Sequence, residues 1–179
     1  MRLFIAINFN NDTRSRLLAL RDELRGQSQR GNFSAPENIH LTLAFLGECD
    51  GKQTADVKSA LSDVSFKPFE ITVDCVGRFR REGGDIWWAG LRENKPLSAL
   101  HRDLADRLTA VGFTLEQRKF APHITLGREV STDAKPRSIE PFGETVSAID
   151  LMKSERIGGK LTYTAIHNSG KQLYSCTRV

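Results

Sequence analysis

The chain has 179 residues, 39% hydrophobic and 27% charged, an ordinary globular composition with room for one compact core or two small lobes. No apolar run approaches a membrane span. The opening Leu3-Phe4-Ile5-Ala6-Ile7 is too short for a secretory region and lacks a small-residue cleavage site, so a cytoplasmic protein with no membrane partner is expected. The formal charge of +4 and a pI of about 9.1 suit a polyanionic partner without demanding one.

Residues 2–9 read as a first strand. Asp12 or Thr13 can cap a helix over about 13–28, with Leu17, Leu20 and Leu24 as its apolar stripe. Pro36 breaks the chain before a strand at 39–46. Asp50 can cap a second helix whose Val57, Ala60, Leu61 and Val64 form one buried face. Residues 69–77 alternate as a strand, Gly83-Gly84 marks a turn, and 85–92 is the next strand, with Trp87 and Trp88 on opposite faces. Pro96 opens a third helix striped by Leu97, Leu100, Leu104, Leu108 and Val111, and Gly112 ends it. Pro122 precedes a strand at 123–130. A loop with Pro136 and Pro141 follows, then strands near 144–156 and 160–168 about a Gly158-Gly159 turn, and a short last strand after Gly170.

The order β-α-β-α-β-β-α-β-β-β is an α+β pattern, not an alternating βαβ one. No low-complexity linker divides it. One motif occurs twice: His40-Leu41-Thr42-Leu43 in the first third and His123-Ile124-Thr125-Leu126 in the last. In a strand the histidine and threonine of each copy share a face, while the aliphatic residues point to a core. A lone His-x-Thr strand would be read as structural. Two copies, holding two of the four histidines, are read as chemistry. The inference is two similar lobes related by approximate internal symmetry. Each has a motif strand near its centre, and a groove between them brings two imidazoles and two hydroxyls together.

Other sites find no support. Zinc spacings such as His-Glu-x-x-His are absent, as are the Gly-x-Ser-x-Gly elbow and the Gly-rich nucleotide loops. No cluster of aspartates suggests a metal, and no cofactor is expected. The cysteines Cys49, Cys75 and Cys176 are scattered and read as reduced thiols. Arginines and lysines cluster at Arg78, Arg80 and Arg81, and at Arg118, Lys119 and Arg128, the second group bracketing a motif.

Pro36-Glu37-Asn38-Ile39-His40-Leu41-Thr42-Leu43-Ala44-Phe45-Leu46-Gly47 and Arg118-Lys119-Phe120-Ala121-Pro122-His123-Ile124-Thr125-Leu126-Gly127-Arg128 resemble the two signatures of the two-histidine (2H) phosphoesterases. The resemblance is to the branch of bacterial and archaeal RNA 2′,3′-cyclic phosphodiesterases, first described as 2′-5′ RNA ligases. It extends to Arg2-Leu3-Phe4-Ile5-Ala6-Ile7 and Leu161-Thr162-Tyr163-Thr164. It implies one bilobal 2H domain over 1–179, with a water-filled groove. It also implies metal-independent opening of a 2′,3′-cyclic phosphate at an RNA 3′ end to a 2′-phosphate. By the same resemblance His40 is the proton donor, His123 the proton acceptor, and Thr42, Thr125 and Arg128 bind phosphate. Regular alternation would aim Arg128 away from the groove, and a bend at Gly127 could re-aim it. Phe45 stands at the matching position of the first motif.

An unperturbed imidazole titrates at about 6.5, so one ring can be neutral while the other is charged. Arg118, and Tyr163 and Phe9 as stackers for a base, are secondary candidates. His101 reads as a surface residue, and His167 is assigned no role. The expected partner is an RNA end with a cyclic phosphate, tRNA fragments included, bound by a monomer, with 2′-5′ ligation as a side activity. The alternatives are a small cyclic nucleotide, 2′-5′ oligoadenylate or ADP-ribose cyclic phosphate as substrate, or an RNA-binding module whose histidines only hold phosphate.

Overall fold

The computed structural model describes residues 1–115 and 119–169. In chain order its elements are β1 (Arg2–Asn8), α1 (Asn11–Gly26), β2 (Ser28–Phe33), a 3-10 turn (Pro36–Asn38), β3 (His40–Glu48), α2 (Gly51–Ser62), β4 (Phe69–Phe79), β5 (Asp85–Leu91), α3 (Lys95–Ala110), β6 (His123–Thr132), β7 (Arg137–Val146), β8 (Asp150–Ile157) and β9 (Lys160–Asn168). The strands form two antiparallel sheets, β3-β1-β8-β9 and β2-β6-β5-β4-β7. The class is α+β, as the element order predicts. Arg118, the residues after Ser169 and Cys176 lie outside the described residues.

Local chemistry explains the helices. α1 is capped by Asn10, whose side chain accepts from the Thr13 amide, so it begins before the Asp12 or Thr13 expected. Asp50 caps α2 as expected, in a reciprocal capping box with Gln53. Asn94 caps α3, with Pro96 in its first turn. The predicted stripes are buried at Leu17 and Leu24 on α1, Val57, Ala60 and Leu61 on α2, and Leu97, Leu100, Leu104 and Leu108 on α3, while Leu20 of α1 is half-buried against the core. Val64 is buried just beyond the end of α2, and Val111 is left exposed at the end of α3. One contiguous core joins residues of both sheets and all three helices.

The structure corrects four expectations. β2 was not predicted, because Ser-Gln-Arg-Gly-Asn-Phe has no apolar alternation. It is a strand because β6 pairs with it. The single strand expected near 144–156 is two, β7 and β8, in different sheets. Pro141 lies inside β7, which tolerates it as an edge strand. Finally, the motif strands are not central: β3 is the edge of its sheet and β6 is second from the edge. Counted from its motif strand, each sheet has four antiparallel strands, β3-β1-β8-β9 and β6-β5-β4-β7, with β2 added beyond β6, so the approximate symmetry extends over both sheets.

Candidate active site

β1 alternates. Leu3, Ile5 and Ile7 enter the main core, while Phe4 and Ala6 turn to the opposite face and form a second, smaller cluster with Met152 and Tyr163. β3 pairs with β1 so that His40 lies opposite Asn8, Thr42 opposite Ala6 and Phe45 opposite Phe4. These residues form the floor of one wall. In the second sheet Thr125 lies opposite Trp88, and Gly77 lies opposite Trp88 on the other side. β3 packs against β6, which brings the motif strands together.

Each motif carries the same irregularity. On β3, Thr42 pairs with Ala6 and Ala44 with Ile5, so Leu43 is the extra residue of a bulge. On β6, Thr125 pairs with Trp88 and Gly127 with Trp87, so Leu126 is the extra residue. A one-residue bulge flips the facing of everything after it. The fifth residue after each histidine therefore returns to the histidine's face: Phe45 in one motif, Arg128 in the other. This resolves the alternation conflict over Arg128, at Leu126 rather than by a bend at Gly127. Ser34 secures the second bulge, donating its hydroxyl to the Thr125 carbonyl (2.8 Å) and its amide to the Leu126 carbonyl (2.9 Å). Facing alternates normally again only past Glu129, whose φ is 53°.

The imidazoles are held alike. His40 Nδ1 donates to the Asn38 carbonyl and His123 Nδ1 to the Ala121 carbonyl, each at 2.8 Å and each two residues upstream. A carbonyl only accepts, so Nδ1 carries the hydrogen and Nε2 is left for chemistry. Thr42 Oγ1 lies 3.1 Å from His40 Nε2. Their surroundings differ. His40 lies between Phe4 (4.9 Å between centroids) and Tyr163 (5.3 Å, edge-on). His123 meets Phe79 edge-on at 5.1 Å, with Trp88 at 6.5 Å.

Burial lowers the His40 pKa to about 4. The Asn38 carbonyl opposes this, and the charge of Arg128 adds to it. Arg128 thus acts on the histidine of the other motif, across the two sheets. It also opposes the burial that raises the Tyr163 hydroxyl pKa.

Other candidates fall into place around this pair. Tyr163 lies against His40 and Phe4, so part of its ring is committed to packing. Phe9 is 4% exposed in the main core and cannot stack on a base. Trp87 is buried in that core, whereas Trp88 takes the site face. His101 is not a surface residue: it is half-buried and stacked on Phe120 at 3.8 Å, and burial lowers its pKa. His167 pairs with Ser62 Oγ at 3.0 Å, away from both motifs. Phe4, Phe79 and Trp88, which set the rings' environment, were not singled out. Their signal was available: Phe4 alternates with Ala6 on β1 and Trp88 with Gly90 on β5, each strand beside a motif strand, and Phe79 alternates with Gly77 on β4, one strand further out.

Residues 6–157 match the profile of the 2′-5′ RNA ligase superfamily. The chain belongs to that superfamily. An Archaeoglobus fulgidus protein named RNA 2′,3′-cyclic phosphodiesterase is 34% identical over 80% of this chain and 85% of its own. An Escherichia coli protein of the same name is 29% identical over 92% and 93%. A crystal structure of E. coli LigT complexed with 3′-AMP superposes with a TM-score of 0.83 at 27% identity, covering 93% of this chain and 95% of that one. Within the matched span the two histidine–threonine motifs lie on β3 and β6, which pack against each other. No helix of the described residues is long and apolar enough to cross a membrane.

Proposed function

We propose that this protein hydrolyses RNA 2′,3′-cyclic phosphate termini to 2′-phosphates by acid–base catalysis from its two histidines. The observation that carries the reading is the matched anchoring of the two rings, with Arg128 of one motif acting on His40 of the other. Relatives that carry the name RNA 2′,3′-cyclic phosphodiesterase over most of the chain support it.

In the proposed step, water attacks phosphorus opposite O3′. His123 Nε2 takes the water proton as the P–O bond forms. The P–O3′ bond breaks and His40 Nε2 delivers its proton to O3′, leaving a 3′-hydroxyl and a 2′-phosphate. Each proton transfer contributes roughly 10²–10⁴-fold. Thr42 and Thr125 donate to the non-bridging oxygens, and Arg128 balances their charge. In the free protein burial and Arg128 keep His40 neutral. The phosphate's negative charge offsets both, so substrate binding itself loads the acid.

We read the chain as a single domain acting as a monomer. Cys49 and Cys75 are free thiols, in keeping with the cytoplasm. The test is incubation with an RNA ending in a 2′,3′-cyclic phosphate, the products resolved as 2′- or 3′-phosphate. A 2′-phosphate is expected. An untouched end or a 3′-phosphate overturns the reading.

A further inference from the structure

Beside the histidine pair the described residues enclose a cleft of about 400 Å³. Neither histidine lines it. Thr42 does, and so does Ala121, whose carbonyl holds His123, so the cleft opens directly from the site. Its walls are aromatic. Phe45, 60% exposed, projects from the β3 edge, Phe79 comes from β4, and Phe120 lies flat on His101 of α3. A phenylalanine left so bare on an edge strand is a solubility cost unless something covers it. Arg81 and Lys119 stand at the same cleft, and no acidic residue lines it among the described residues.

We infer that this cleft is a subsite for the nucleotide on the 5′ side of the terminal, cyclic-phosphate-bearing one. Its base lies on the phenylalanine faces, and the phosphodiester joining the two nucleotides meets Arg81 and Lys119. The inference rests on the RNA-end reading and extends it. The cyclic phosphate belongs at the histidines, with Arg128. Arg81 and Lys119 line the neighbouring cleft, which His40, His123 and Arg128 do not line, so they are suited to a different anion, and in an RNA end the next one is that phosphodiester. A 2′,3′-cyclic mononucleotide has no such group. Stacking on phenylalanine is tolerant of base identity, so the subsite selects chain length rather than sequence.

The test compares equilibrium binding of adenosine 2′-phosphate with that of ApA ending in a 2′-phosphate. The dinucleotide binds about tenfold more tightly to the wild-type protein, a gain of the size one stacked base supplies. Phe45→Leu keeps an apolar side chain beside Phe4 but removes the aromatic face. Arg81→Ala removes one cation. Each abolishes most of the dinucleotide's advantage, and Arg81→Ala leaves mononucleotide binding and hydrolysis of 2′,3′-cyclic AMP unchanged. Equal wild-type affinities, or an advantage that survives both substitutions, overturn the subsite. A dinucleotide advantage with no hydrolysis of any cyclic phosphate overturns the hydrolase reading and leaves the subsite standing.

Discussion

His40 and His123 share a tether and differ in their surroundings, and both facts have measurable consequences. His40→Ala and His123→Ala each lower turnover by at least about a hundredfold with the fold retained, while Thr42→Ala and Thr125→Ala cost less, since each removes one donor among several. Near wild-type turnover in either histidine variant would refute the paired assignment. The rate under single-turnover conditions is bell-shaped in pH, because only the singly protonated pair is active. A rate that climbs with pH and never falls would exclude a protonated acid. The burial of His40 also shows in stability. Its pKa is about 4 folded and about 6.5 unfolded, so between those values the unfolded chain binds the proton first. The stability contributed by the neutral ring is complete above about pH 6.5 and lost as pH falls towards 4, roughly 3 kcal/mol in all. Urea unfolding at pH 7.5 and 4.5 therefore shows a smaller fall for His40→Gln than for wild type. Identical falls would mean that the ring is not held neutral by burial.

Among the elements, the paired bulges and the glycines under Trp88 do most to shape the site. An added Cβ on Gly77 would stand 2.2 Å from Trp88 Cη2, and one on Gly90 would stand 2.8 Å from Trp88 Cζ3. The two glycines make the seat in which the indole lies, and the indole backs Phe79 and His123. Gly77→Ala therefore overpacks the second wall. It should lower stability by about 1–3 kcal/mol and reduce turnover through the His123 ring. Gly26→Ala, with no atom within 4 Å of the added Cβ, is the control and should be close to neutral. Urea midpoints and steady-state rates of the two variants check this, and equal behaviour would remove the packing argument. The apolar helix faces and the Asp50 cap were legible in the sequence because a 3.6 period and a capping residue are local signals, while the Asn10 and Asn94 caps were missed. β2 and the β7–β8 division were not, because pairing partners decide them. The bulges were equally hidden: Leu43 and Leu126 look like ordinary core positions, and an extra residue is defined only against a neighbouring strand.

In the proposed mechanism acid, base and anion donors are all side chains of the two sheets, so hydrolysis of the cyclic end should persist in excess EDTA. Loss of turnover in chelator, restored by a divalent ion, would sink that mechanism. What the sequence determined by itself was the α+β class, the helix faces, and the twin histidine–threonine strands. These rest on periodicity and on residue types that need no partner to be read. Only the tertiary structure decided that β3 lies at a sheet edge, that Phe9 is core, that His101 stacks on Phe120, and that Arg128 shares the groove with His40. Each of those depends on which strand lies beside which. A single residue of register slip reverses the facing of all that follows, and the energy that sets register comes from packing between segments far apart in the chain.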